Sequence, residues 1–112
     1  MAKGVTCFDP AVATACCRIA SVLRPGGPIT VQGLVKDDVV HFTEINARMG
    51  GGLPLGIAAG ADSPRWLLAR AAGLPVEIPP VGSYQRDLYL SRFDESLFLS
   101  RGTDGTLQSH HF

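Results

Sequence analysis

Hydrophobic positions near the start of the chain recur at helical intervals. The residues that form this apolar stripe are Val12, Cys16, Ile19 and Leu23. Asp9 can cap a helix, Pro10 suits its first position, and the proline- and glycine-rich residues 25–28 would end it. The spacing therefore predicts one amphipathic helix with a single apolar face for packing.

The next two stretches alternate between apolar and polar residues instead. Residues 29–36 and 39–46 are rich in β-branched and aromatic side chains, and Asp37 and Asp38 lie between them. Alternation with a short polar break is typical of two strands joined by a tight turn. We therefore expect a β-hairpin, which ends where residues 49–52 bring in Met-Gly-Gly-Gly.

Two helices are predicted after the glycines. Residues 53–59 are expected to form a short helix that stops at Gly60. Asp62 or Ser63 can cap a second helix, and Gly73 is a suitable terminator for it.

The last third of the chain predicts a loop and a second hairpin. Residues 74–83 contain three prolines and are expected to connect, whereas residues 86–93 and 96–100 are expected to pair as strands. The succession of helix, hairpin, two helices and hairpin predicts an α+β fold, an antiparallel β-sheet with helices packed on one face. Residues 1–101 would form one partial domain, and residues 102–112 a flexible tail.

Composition narrows the possible functions. Hydrophobic residues make up 46% of the 112 positions and the formal net charge is zero. A nucleic-acid-binding protein would need a basic surface, and a membrane span would need roughly 20 consecutive apolar residues. We therefore expect a cytoplasmic protein that binds neither nucleic acid nor membrane.

The cysteines and the central histidine favour structural roles. Cys7, Cys16 and Cys17 are odd in number, two are adjacent, and no pair has the spacing of a zinc site. Reduced and mostly buried thiols are the favoured interpretation, with a catalytic cysteine as the alternative. His41 is expected to be a structural or edge histidine rather than a ligand.

Polar residues suited to phosphate chemistry cluster along the first predicted hairpin. Gln32, Glu44 and Asn46 offer a carboxylate and two amide oxygens, a hard ligand set that suits Mg²⁺. Arg48 can present a planar fork to phosphate, and the glycines at 50–52 allow close approach of backbone N–H groups to an anion. This combination predicts a metal and phosphate site. The alternative is a solvated strand end followed by a flexible turn.

The predicted site makes a demand on the strand register. Gln32 can share a face with Glu44 only if the hairpin loop has an odd length, so we expect a three-residue loop around Asp37 and Asp38. A two-residue turn would place Gln32 on the opposite face from Glu44. The expected site face carries Gln32, Leu34, Phe42, Glu44 and Asn46. The expected helix-facing side carries Ile29, Val31, Val35, His41, Thr43 and Ile45.

The order of these pieces resembles the ATP-grasp superfamily, most closely its carbamoyl-phosphate synthase large-chain-like branch. That family shows a GP-x-x-x-Q strand, a hairpin, E-x-N-P-R, a glycine- or serine-rich turn and a helix that ends near Gly-x-Asp. The specific match is residues 27–73, GPITVQGLVKDDVVHFTEINARMGGGLPLGIAAGADSPRWLLARAAG. The preceding segment looks like the helix that leads into this strand, and YQRDLYLSRFDESLFL looks like the closing strands. Most of residues 3–100 is covered.

The resemblance implies a role for each candidate residue. Glu44 would bridge two magnesium ions on ATP, Asn46 would bind one of them, and Gln32 would be a further ligand. Arg48 would be the catalytic residue that steadies the γ-phosphate or the acyl phosphate. The implied cofactors are ATP and Mg²⁺, with Mn²⁺ possible. The family uses ATP to convert a carboxylate into an acyl phosphate, which an amine or another nucleophile attacks.

The departures from the family pattern shape the expected function. Ala47 stands where proline is usual, Gln32 stands where many members carry glutamate, and Lys3 and Lys36 are the only lysines. No segment resembles the half that binds adenine, so we expect the C-terminal half of a carboxylate-amine ligase domain, inactive until a split-enzyme partner or further polypeptide completes it. The alternatives are a non-catalytic remnant that forms a homodimer and an unrelated binding module.

Overall fold

A computed structural model describes residues 3–110 of the chain. The elements in chain order are β1 (Lys3–Val5), α1 (Pro10–Leu23), β2 (Thr30–Lys36), β3 (Val39–Asn46), α2 (Leu53–Ala58), α3 (Ser63–Ala71), β4 (Tyr89–Ser91), β5 (Phe98–Arg101) and β6 (Leu107–His110). The strands form three antiparallel ribbons, β1–β4, β2–β3 and β5–β6. The predicted α+β class is confirmed, with small ribbons in place of one continuous sheet.

Helix α1 follows the capping pattern in the sequence. The side chain of Asp9 accepts hydrogen bonds from the backbone N–H groups of Ala11 at 2.9 Å and Val12 at 3.2 Å. Arg24 closes the helix in a left-handed conformation with φ of 46°. Capping of this kind satisfies backbone groups that the helix itself leaves without partners.

The turn of the β2–β3 hairpin is shorter than predicted. Asp37 and Asp38 have positive φ values of 52° and 59°, and Lys36 pairs directly with Val39. A two-residue turn with both φ values positive is favoured in hairpins because its twist matches that of the strands. The predicted three-residue loop is therefore wrong.

A β-bulge supplies the register change that the loop does not. Gly33 pairs with Phe42, and the next pair is Gln32 with Glu44, so that Thr43 is the extra residue on β3. Residues directly opposite each other in an antiparallel ribbon lie on the same face. Gln32 and Glu44 therefore share a face in spite of the two-residue turn.

The bulge also changes two of the predicted face assignments. Phe42 and Ile45 both line a groove against α1, although three positions separate them, so the placement of Phe42 on the site face is wrong. His41 pairs with Leu34 and shares the face of Gln32 rather than the helix-facing side. The helix α1 and the polar residues thus lie on opposite sides of the hairpin.

The segment from α2 to α3 contains the small buried core of the chain. Within residues 3–110, the buried apolar residues are Leu55 and Ala59. The backbone N–H of Gln85 donates to the carbonyl oxygen of Ala59 at 2.8 Å, which ties the later loop to α2. The side chain of Asp62 caps α3 by accepting a hydrogen bond from the N–H of Arg65 at 3.1 Å. Of the two predicted caps, Asp62 and Ser63, Asp62 is the one that forms this bond.

The second predicted hairpin is wrong in its pairing. Strand β4 pairs with β1 through Gly4 opposite Leu90, and the hydroxyl of Thr6 accepts from the N–H of Leu88 at 3.0 Å. The N-terminal strand β1 is therefore the partner of β4, in the place predicted for residues 96–100.

Strand β5 pairs instead with β6, across a turn stabilised by Asp104. The carboxylate of Asp104 accepts hydrogen bonds from the backbone N–H of Thr106 at 3.0 Å and from the Thr106 hydroxyl at 2.7 Å. These bonds lower the pKa of Asp104. Within the predicted tail, Leu107–His110 forms strand β6, and residues 111–112 lie outside the described range.

Much of the apolar surface of the chain stays uncovered. The accessible surface is 8961 Å², whereas a compact monomer of this mass would expose about 6,000 Å². The radius of gyration is 19.2 Å, against about 13 Å for a compact domain of this length. Exposed side chains include Val22, Leu34, Leu68 and Phe93. Among the helices described, none combines the length and apolar character that crossing a membrane requires.

Candidate functional site

Three polar residues lie on the same face of the β2–β3 hairpin. The amide nitrogen Nδ2 of Asn46 donates to Oε1 of Glu44 at 3.1 Å, and Gln32 lies directly opposite Glu44. We call these three residues the oxygen cluster. The geometric condition for the predicted site is therefore met, while metal binding by the cluster stays a prediction.

The chemistry of the oxygen cluster fits magnesium held jointly with phosphate. The bond from Asn46 to Glu44 uses Oε1 of the carboxylate and the amide NH₂ group, so Oε2 of Glu44 and Oδ1 of Asn46 are not used in it. Residues 3–110 hold no group of three His, Cys, Asp or Glu side chains placed to ligate a metal. Magnesium is commonly bound by one or two carboxylates together with substrate phosphates, so a single carboxylate with amide oxygens is sufficient.

Strand β2 also fixes the start of the glycine turn, residues 49–52. The hydroxyl of Thr30 donates to the carbonyl oxygen of Arg48 at 2.9 Å. A Cβ at Gly50 would lie 2.9 Å from the same hydroxyl oxygen, so the close approach requires glycine. Because Thr30 lies opposite Asn46, this contact holds the turn beside the oxygen cluster.

The carbonyl groups of the glycine turn face two arginines. The Nη1 group of Arg48 donates to the carbonyl oxygen of Met49 at 3.1 Å, and Nη2 of Arg92 donates to that of Gly51 at 2.8 Å. Neither guanidinium forms an ion pair with another residue of the range 3–110. Two cations are therefore attached to backbone two residues apart, next to the predicted phosphate position.

Sequence reasoning missed Arg92. It lies 41 positions from Gly51, directly after β4, and no local pattern links the two. The strand that precedes it pairs with β1, and the backbone N–H of Gln85 bonds to Ala59 at the end of α2. The available signal was an arginine near the end of the predicted strand 86–93, a position that many surface arginines occupy.

Replacing Arg92 with glutamine is expected to loosen the glycine turn. The shorter neutral side chain cannot reproduce the charge-assisted bond to Gly51, which we expect to stabilise the turn by roughly 1 kcal/mol at this exposed position. Faster amide hydrogen exchange at Leu53 and Leu55, whose N–H groups bond to Gly50 and Gly52, would show the effect.

Arg101→Gln is the matched control, because Arg101 makes the same kind of bond to the carbonyl oxygen of Gly105 at 3.1 Å in the β5–β6 hairpin. Equal exchange rates at Leu53 and Leu55 in wild type and Arg92→Gln would contradict the prediction.

The cysteines offer no support for the alternative of a catalytic thiol. Cys7 and Cys17 are exposed and Cys16 is half-buried, so the expectation of mostly buried thiols is wrong. Partial burial raises the pKa of the Cys16 thiol, and the neighbouring Cys17 raises it further. A raised pKa lowers the thiolate fraction at neutral pH, which is the opposite of what a nucleophilic cysteine needs.

Comparison with models of known protein families identifies a related family. A family model described as "ATP-grasp in the biosynthetic pathway with Ter operon" matches residues 2–92. A search among curated proteins gives no significant match. The matched range contains the oxygen cluster, the glycine turn and Arg92, and it ends before β5.

Proposed function

Because the chain belongs to this family of ATP-grasp proteins, we propose that it supplies the metal- and phosphate-binding residues of an ATP-dependent carboxylate-amine ligase, similar to the carbamoyl-phosphate synthase large chain. The observation that carries the proposal is the oxygen cluster itself. A two-residue hairpin turn would have separated Gln32 from Glu44, and the bulge at Thr43 places them opposite each other.

Each residue of the site has a defined task in this proposal. Glu44 and Asn46 hold magnesium through carboxylate and amide oxygens, and Gln32 is a further ligand. Arg48 neutralises charge on a phosphoryl oxygen, since guanidinium N–H groups match the geometry of phosphate. Magnesium-bound ATP supplies the phosphoryl group that activates a carboxylate.

The ligase activity further requires polypeptide that binds adenine. Within residues 3–110, no segment carries the lysines and the glycine-rich lid that the resemblance calls for. The accessible surface of 8961 Å² is about 3,000 Å² larger than that of a compact fold of this mass. Covering about 3,000 Å² on one partner would bury about 6,000 Å² in total, which is at the upper end of obligate interfaces. A split-enzyme partner or further polypeptide that covers this surface would complete the site.

Calorimetric titration with ATP tests the proposal. We expect weak ATP binding in the presence of Mg²⁺ or Mn²⁺ that disappears when the metal is chelated. ATP binding of equal strength with and without metal would contradict the role of the oxygen cluster, and so would the absence of binding at millimolar ATP.

The uncovered apolar surface favours a second candidate function. The groove between α1 and the hairpin is lined by Ile19, Val22, Phe42 and Ile45 among others, and a second copy could cover it. The chain would then be a non-catalytic domain that forms a homodimer. A stable dimer in sedimentation experiments, together with no metal-dependent ATP binding, would favour this function over the ligase role.

A further inference from the structure

A cleft beside Arg48 is separate from the oxygen cluster and has a different chemical character. It lies between the loop 25–28, Ile29, the segment 47–49 and Leu67 of α3. Its volume is about 370 Å³, which is within the range of small-molecule sites. Arg48 is the one charged residue in a wall otherwise made of proline, glycine and aliphatic side chains.

The state of Arg48 determines which group could bind there. One of its five N–H donors is used on the carbonyl oxygen of Met49 at 3.1 Å, and within the described chain no carboxylate pairs with it. The remaining donors can bind a carboxylate through two parallel hydrogen bonds. Apart from Arg48, the side chains that line the cleft carry no strong hydrogen-bonding group, so a hydroxyl or amide on the ligand body would gain no side-chain partner there.

We propose that this Arg48 cleft binds a monocarboxylic acid with an aliphatic or aromatic body. The proposal deepens the proposed function and rests on it, because a carboxylate is the group that such a ligase activates. Ala47 lines the cleft and directly follows Asn46 of the oxygen cluster. A carboxylate on Arg48 would therefore lie next to the proposed magnesium and phosphate position, while its apolar body extends toward Leu67.

A neighbouring cleft provides a matched control. It shares the loop 25–28 and Leu67 with the Arg48 cleft, but its charged lining residue is Arg70, beside Trp66. Replacing Arg70 with glutamine therefore removes the same charge from the other side of the shared wall. If a ligand used both arginines, as a dicarboxylate could, this control would lose binding as well.

Titration of the full chain, followed by two-dimensional NMR without nucleotide or metal, tests the proposal. The probes are hexanoate, 1-hexanol, which lacks the charge, and acetate, which lacks the apolar body. We expect hexanoate to shift the amide signals of Gly26, Gly27, Ala47 and Leu67 and to bind at least about tenfold more tightly than either of the other two. Arg48→Gln should lower hexanoate affinity by about tenfold and leave hexanol binding unchanged, and Arg48→Lys should restore part of it.

Several outcomes would overturn the proposal. One is that acetate binds as tightly as hexanoate, and another is that Arg48→Gln leaves the hexanoate affinity unchanged. The others are that Arg70→Gln loses as much hexanoate affinity as Arg48→Gln, and that the shifted amide signals belong only to other parts of the chain. Because ATP and Mg²⁺ are absent from this experiment, its failure is distinguishable from failure of the ATP titration. Native signal dispersion in each variant shows that a loss of binding does not come from unfolding.

Discussion

Replacing Glu44 with glutamine is expected to lower magnesium-dependent ATP affinity by roughly 10- to 100-fold. The carboxamide keeps the size of the side chain and an oxygen that can accept the hydrogen bond from Asn46, which measures 3.1 Å in the native chain. The substitution therefore removes the single negative charge of the oxygen cluster with little change in its shape. Calorimetric titration of the variant with ATP in saturating Mg²⁺ measures the effect.

A matched substitution separates this local effect from a change in net charge. Glu77→Gln removes the same charge from an exposed position in the loop between α3 and β4. ATP affinity should stay unchanged there. If both variants lose affinity equally, or if Glu44→Gln binds magnesium and ATP like the native chain, the cluster does not hold the metal.

The register of the first hairpin shows what the sequence could predict about the site. Alternation along residues 29–36 and 39–46 indicated the two strands, and the residue types at positions 32, 44 and 46 indicated a shared function. The length of the turn was predicted from the assumption that both strands are regular. A bulge at Thr43 satisfies the same functional demand with a two-residue turn, and bulges of this kind are common near active sites.

Gly33 was a sequence indication of the bulge, but strand propensity by itself does not identify it as one. It is a glycine inside a strand, which often marks a bulge or a close backbone approach. In the structure, a Cβ at this position would lie 2.7 Å from the carbonyl oxygen of His41. The glycine was therefore informative about the face assignments of Phe42 and His41, which the regular alternation predicted wrongly.

Contacts between distant parts of the chain were the least predictable. The sequence around Tyr89–Ser91 indicated a strand, but nothing in it identified Lys3–Val5 as the partner rather than residues 96–100. Arg92 directly follows this strand and bonds to Gly51, 41 positions away, so its position could not be predicted either. Pairing over such a separation depends on the whole chain, whereas a hairpin depends on a few neighbouring residues.

Replacing Leu55 with alanine is expected to lower the free energy of unfolding by about 2–4 kcal/mol. Leu55 is 9% exposed and is the one large side chain that is buried within residues 3–110. Its N–H and carbonyl groups also bond to Gly52 and Ala59, so a cavity at this position would loosen the link between α2 and the glycine turn. Urea unfolding followed by circular dichroism measures the change in stability.

Leu68→Ala is the matched control, since the same groups are removed from a side chain of α3 that is 71% exposed. We expect it to change the free energy of unfolding by less than about 0.5 kcal/mol. A cost at Leu68 as large as that at Leu55 would mean that α3 is covered in solution, by a second copy or by a partner. The apolar surface that the single chain leaves uncovered would then be part of an interface, and the stability of the chain would depend on protein concentration.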